Sequence, residues 1–220
     1  MSNSLKWFWI VWIGGALIAG AMALYFHANP DPLGWELSLD RWIQDLPLDS
    51  LSRIGNALGY SRIVVANLII ACVIFMLIGR KWWAVFLLAA TACWLTNQQI
   101  KTLVQRPRPT TEYVRVTEHP DGWSFASGHA VAGTLFFGAL ALIAWRSMAP
   151  GRWRSALIAL LVGTIGLIGV SRVYVGAHWP TDAVGGWLIG ALFLGLLARI
   201  AIWVIERYGP LDQKTPPRGG

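Results

Sequence analysis

Three short stretches of this chain combine cations, imidazoles, a carboxylate and small residues at spacings that suit phosphate chemistry. The first runs from Lys101 to Arg106-Pro107-Arg108-Pro109, the second is Ala126-Ser127-Gly128-His129, and the third runs from Ser171-Arg172 to His178 and Asp182. Lys101, Arg108 and Arg172 would compensate a multiply charged phosphate, and the arginine fork matches phosphate oxygens in pairs. Ser127 and Gly128 precede an apolar run, where the free N–H groups and positive dipole end of a helix bind anions. Glycine there lets the backbone approach closely. His178 and Asp182 lie four apart, and Pro180 between them suits the opening of a helix. A carboxylate at that spacing can hold one imidazole nitrogen protonated and leave the other free to attack. His129 supplies a second imidazole as acid. Asp182 is the only carboxylate in the three stretches and no cluster has metal-ligand spacing, so neither a metal nor a cofactor is expected.

The elements that must carry these residues are apolar. The chain has 220 residues, 55% hydrophobic and 13% charged, with fourteen tryptophans. Charge is about half its usual share, which excludes disorder, a coiled coil and a nucleic-acid-binding domain. Residues 7–26, 63–79, 82–100, 126–145, 155–171 and 183–205 form six nearly uncharged runs. At about 1.5 Å per residue, such runs cover roughly 30 Å of bilayer hydrocarbon. The expectation is an all-α polytopic bundle of six transmembrane helices forming one domain over residues 1–206, with a disordered tail over 207–220. The first run is long for a signal segment and reads as a retained span. Between the first two runs, Leu39, Trp42, Ile43, Leu46, Leu51, Ile54 and Leu58 recur at helical spacing among charges. An amphipathic element lying in the interface is expected over 35–59.

The net charge of +7 maps onto topology. Lys6, Arg80, Lys81, Arg146, Arg152, Arg154, Arg207, Lys214 and Arg218 share one side with only Glu206 and Asp212, whereas the other side is nearly balanced. The positive-inside bias puts both termini in the cytoplasm and the three chemical stretches on the outer face of a cell membrane. Tryptophans at both ends of the runs, among them Trp123, Trp179 and Trp187 on the outer side, read as interface belts. Lys101, Arg108 and Arg172 stand outside against the charge trend.

These stretches resemble the signature of the type 2 phosphatidic acid phosphatase superfamily, whose membrane members are lipid phosphate phosphatases. Its first motif, Lys, six residues, Arg-Pro, is matched by Lys101, Arg108 and Pro109. Its Pro-Ser-Gly-His is matched by Ser127, Gly128 and His129, with Ala126 in place of the proline. Its third motif is matched throughout by Ser171, Arg172, His178 and Asp182. The resemblance implies a metal-independent, two-step hydrolase. His178 would attack phosphorus, Asp182 would orient it, and His129 would protonate the leaving group. Lys101, Arg108, Arg172 and the Ser127 and Gly128 amides would hold the phosphate oxygens.

The implied partners are membrane lipids and a lipid phosphate, with no nucleic acid; oligomeric state has no signature in the sequence. Undecaprenyl pyrophosphate is the leading substrate by analogy with compact bacterial members, and phosphatidylglycerol phosphate and phosphatidic acid come next. A lipid phosphotransferase and a silent lipid-binding or transport protein are the competing classes. Cys72 and Cys93 read as buried thiols, and His27 and His119 as bystanders. Arg106 and Arg115 fall outside the matched positions and read equally as headgroup or substrate contacts. Asn97, Gln98 and Gln99 lie close enough to Lys101 to border a site.

Overall fold

Long uncharged runs leave the backbone few ways to satisfy its polar groups away from water, and helices satisfy them internally. The computed structural model describes residues 3–208, and no strand occurs among them. The helices are α1 (Asn3–Ala28), α2 (Gly34–Asp45), α3 (Asp49–Gly59), α4 (Ser61–Leu77), α5 (Lys81–Ala92), a 3-10 turn (Cys93–Thr96), α6 (Asn97–Val104), α7 (Gly128–Ser147), α8 (Arg152–Tyr174) and α9 (Pro180–Tyr208). Helix α9 runs two residues past the expected domain end at 206; the remainder of the expected tail lies outside the described residues.

Among the described residues, four segments are long and apolar enough to cross a membrane: Leu5–Ala28, Gly128–Ser147, Arg152–Tyr174 and Pro180–Val204. A fifth arises only if α3 and α4, bent by 64° at their junction, count as one span. The expected second run falls in α4. The expected third run, 82–100, is not one helix, because the 3-10 turn divides it into α5 and α6. Thr91 Oγ1 bonds the Leu87 carbonyl at 2.9 Å and Thr96 Oγ1 bonds that of Cys93 at 2.7 Å. Such back-bonding competes with regular helix pairing and bends it. The chain is a multi-pass membrane protein, with six spans not borne out by helix length alone.

Helix α7 is the centre of the bundle. Its Ala130, Val131, Leu135, Phe136 and Ala139 are buried, whereas Ile10, Leu17 and Leu24 of α1 face outward. Small residues allow close approach. A Cβ at Gly186 of α9 would lie 2.8 Å from the Ser127 carbonyl oxygen, so only glycine fits where α9 crosses the start of α7.

Helices α2 and α3 are amphipathic as expected, but each turns a set of polar residues inward, while Arg41, Asp45, Asp49 and Arg53 stay exposed. Glu36, Asp40 and Gln44 of α2 and Ser52 and Asn56 of α3 are buried, while Trp35, Trp42, Leu51 and Ile54 are exposed. Some apolar residues also pack inward: Ile43 against Val173, Tyr174 and Ala183, Leu39 against that group, and Leu58 against the main core. The interior at this end of the bundle is a polar site, which reverses the usual arrangement. Two tryptophans also depart from the belt reading. Trp179 is buried with its indole N–H on the Pro107 carbonyl at 3.1 Å, and half-buried Trp187 donates to Ile165 at 3.1 Å. Both serve the core because their N–H groups find partners inside it.

Candidate active site

The three chemical stretches meet at one end of the bundle, where α6 and α8 finish and α7 and α9 begin. Helix α6 stops at Gln105, which takes a left-handed conformation at φ 55° and reverses the chain. Pro107 and Pro109 then prevent helix from resuming. Lys101, one turn before that stop, donates from Nζ to the Trp123 carbonyl at 2.5 Å. Arg108 is held by carbonyls of Gly122 (2.8 Å), Ala177 (2.8 Å) and Asp121 (3.1 Å). Its Nη1 also lies 3.1 Å from His178 Nε2. Burial and then the charge of Arg172 push Arg108 down to about 10, so it stays cationic at neutral pH.

His178 sits in the turn between α8 and α9 and is buried. Burial, reinforced by Arg108 and Lys101, outweighs the pull of Asp182 and holds its imidazole down at about 3. The ring is therefore neutral near pH 7, with one of its two nitrogens unprotonated. Asp182, in the first turn of α9, lies with Oδ2 3.6 Å from His178 Nδ1. Its Oδ2 also accepts the Trp179 amide at 2.9 Å and the Ser124 hydroxyl.

His129, in the first turn of α7, packs its ring edge-on against Tyr60 with centroids 5.3 Å apart. A Cβ at Gly59 would come within 2.6 Å of that ring, so a glycine at the end of α3 makes room for it. His129 lies within electrostatic reach of Arg172, His178, Lys101 and Arg108. The Ser127 amide is engaged by the Asp182 carbonyl at 3.0 Å, so it is not free for an anion as expected. The Ser127 hydroxyl, by contrast, is buried without a partner, as are His129 Nε2 and Arg172 Nε. Asn97 borders this site, bonding the Ala126 carbonyl at 3.2 Å, whereas Gln98 and Gln99 are exposed.

Residues 80–206, more than half of the chain, match the PAP2 superfamily. The chain belongs to that superfamily. It is similar to phosphatidylglycerophosphatase B of Bacillus subtilis, 29% identical over 125 residues that cover 56% of this chain and 60% of that protein. It is also similar to an undecaprenyl-diphosphatase of Sulfolobus acidocaldarius, 34% identical over 94 residues covering 43% of this chain and 39% of the relative. The chain thus spans less than two thirds of the length of these curated relatives. The fold is shared with the crystal structure of a transmembrane PAP2-type phosphatidylglycerolphosphate phosphatase from Bacillus subtilis, at TM-score 0.74 and 21% identity, over 88% of this chain and 96% of that one.

In this PAP2 chain all eight expected site residues, from Lys101 to Asp182, fall in the one cluster. Several neighbours, among them Glu36, Ser124 and Glu118, had no sequence signal. Arg106 does not face the surface. It is fully buried, with Nη1 2.8 Å from Asp182 Oδ1 and Nη2 2.8 Å from Glu36 Oε2. Its guanidinium stacks on Phe26 at 3.8 Å. Glu36 also accepts the Thr181 amide at 3.2 Å and the Thr181 hydroxyl, tying α2 to the start of α9. Arg115 is structural as well, donating to the Gln44 carbonyl at 3.0 Å and covering the Tyr174 ring. His27 Nδ1 lies 3.3 Å from the Val104 carbonyl, joining the end of α1 to the end of α6. Arg172 Nη1 meets Glu118 Oε2 at 2.8 Å and the Asn56 side-chain oxygen. Glu118 further accepts the Tyr60 hydroxyl at 3.0 Å and the Asn56 amide. Among the described residues no three His, Cys, Asp or Glu side chains are grouped to hold a metal ion.

Proposed function

We propose that this chain is a membrane lipid phosphate phosphatase working through a phosphohistidine on His178. One observation carries the reading: Ser127 Oγ, His129 Nε2 and Arg172 Nε are buried and unpartnered. All three belong to the residues whose spacing suits a phosphate cradle. Leaving several polar groups buried and unpaired costs about 1–3 kcal/mol each, and a phosphate would satisfy them together.

In the first step His178 Nε2 attacks phosphorus while the P–O bond to the lipid breaks. His129 gives its proton to the departing oxygen. Water then attacks the phosphohistidine and loses a proton to His129, and the N–P bond breaks to release inorganic phosphate and restore both imidazoles. Lys101, Arg108, Arg172, the Ser127 hydroxyl and the start of α7 stabilise the charge that builds on the phosphoryl oxygens. Asp182 does not offer a metal site in this scheme, because Arg106, Ser124 and Trp179 already occupy its oxygens.

The reading includes six spans, with α5, the 3-10 turn and α6 together completing one crossing and α2–α3 at the interface. It also places both termini in the cytoplasm, the site outside and a single domain up to residue 206. Undecaprenyl pyrophosphate is our choice of substrate, supported by the name of the Sulfolobus relative. Phosphatidylglycerol phosphate is the second reading, favoured by the longer alignment with the Bacillus protein. The test is phosphate release from a panel of undecaprenyl pyrophosphate, phosphatidylglycerol phosphate and phosphatidic acid in detergent, with and without EDTA. Wild-type turnover should persist in EDTA, and His178→Ala should lower it by at least about a thousandfold. Turnover in His178→Ala equal to wild type would end the phosphohistidine reading. Loss in EDTA restored by a divalent ion would end its metal-free form, and label passing to an acceptor lipid without free phosphate would make it a transferase.

A further inference from the structure

Asp182 and His178 are the pair expected to act together, yet they do not touch as hydrogen-bonding partners. The Nδ1–Oδ2 separation of 3.6 Å exceeds hydrogen-bond range. The hydroxyl of Ser124 lies between them. Its Oγ is 3.3 Å from His178 Nδ1 and in short contact with Asp182 Oδ2, and the residue is fully buried.

Proton counting fixes the direction of these bonds. Arg108 Nη1 faces His178 Nε2 at 3.1 Å, and a guanidinium only donates. Nε2 therefore carries the lone pair, and the neutral ring carries its proton on Nδ1. Ser124 must accept that N–H, and its own single proton is left for the carboxylate. Asp182 is otherwise an acceptor throughout, taking Arg106 Nη1 on Oδ1 and the Trp179 amide on Oδ2. No other assignment pairs every donor with an acceptor. The Ser124 amide is anchored on the Arg106 carbonyl at 2.8 Å. Ser124 and Arg106 thereby grip the two oxygens of Asp182 as one unit.

We infer that Ser124 is a positioning residue of the reaction, relaying Asp182 to His178 through its hydroxyl and holding the imidazole in the tautomer whose Nε2 can attack. The inference rests on His178 being the nucleophile. As Nε2 bonds to phosphorus and the leaving group departs, the ring becomes cationic. The Nδ1–H···Oγ–H···Oδ2 chain then tightens towards the carboxylate, with no proton leaving any of the three residues.

The experiment uses the full chain in detergent and the variants Ser124→Ala, Asp182→Asn and their double. Ser124→Ala should lower kcat by about tenfold to a hundredfold with KM within about twofold, the range of one buried charge-assisted hydrogen bond. The double variant should be no slower than Asp182→Asn alone, because both act through the same imidazole nitrogen. Losses that multiply, or a Ser124→Ala enzyme with wild-type kcat beside an inactive His178→Ala, would overturn the relay and leave the phosphatase reading standing. Histidine 15N NMR of the wild type reads the same point without turnover and without any variant having to fold. His178 protonated on Nδ1 is expected, and protonation on Nε2 would overturn the relay. Absence of turnover on every lipid would sink the phosphatase reading without altering that spectrum.

Discussion

A neutral imidazole whose Nε2 faces a guanidinium carries its proton on Nδ1, and Arg108 and Ser124 beside His178 fit that tautomer. The same crowding gives Glu118 a role at the mouth of the site. Burial works against its charge, but the bonds to Arg172, Tyr60 and Asn56 hold its carboxyl below the ordinary carboxylate range. A phosphate oxygen reaching Arg172 Nη1 must compete with that carboxylate. Glu118→Gln is therefore expected to strengthen inhibition by inorganic phosphate several-fold, read as a lower inhibition constant in the turnover assay; unchanged or weaker inhibition would contradict it. The division between legible and hidden residues follows the same lines. Lys101, Arg108, Ser127, Gly128, His129, Arg172, His178 and Asp182 stood out because phosphate chemistry restricts residue type and spacing within short stretches. Ser124 and Glu118 did not, because their partners Asp182 and Arg172 lie 58 and 54 positions away and leave no local pattern; Arg106 was legible as a cation but not as the partner of Asp182, 76 positions on.

Helix α2 carries the clearest reversal of expectation at the scale of elements. Its period was legible, but the sense of its faces was not, since helical spacing reports two sides without saying which one meets protein. The inward side brings Asp40 into the interior with both oxygens unpartnered. Burial, then the charges of Glu36 and Asp182, raise its carboxyl to about 7 against the weaker pull of Arg41. An unfolded aspartate titrates near 3.9, so between about pH 4 and 7 the folded chain holds the extra proton. Stability from this group is present in full at the acid end and is lost as pH rises through 7. The expected outcome is a wild-type Tm that falls between pH 5 and 8, and an Asp40→Asn variant that is flatter over that range and more stable at pH 8. Parallel curves for the two proteins would refute the assignment. The broken α5–α6 run was hidden for a related reason: hydropathy counts apolar residues but does not see threonine hydroxyls bonding back to the helix.

For the molecule as a whole, composition alone was enough to exclude a soluble domain, and the four long spans follow from it directly. Their arrangement rests on contacts between distant segments, above all the buried Glu36–Arg106–Asp182 triad that joins α2, the turn after α6 and the start of α9. Removing one member of such a set costs about 3–5 kcal/mol, because the others remain charged in the interior. Cutting the chain in the exposed connection between α7 and α8 leaves Lys101, Arg108 and His129 on one fragment and Arg172, His178 and Asp182 on the other. Co-expressed fragments are expected to regain turnover while neither does so alone, and activity in a single fragment would refute the shared site. The triad also sets an order on biogenesis. Glu36 and Arg106 are made first and can pair with each other, whereas Asp182 arrives only with α9. The cluster of Lys101, Arg108, His129, Arg172, His178 and Asp182 is then complete only once α9 has joined the earlier helices.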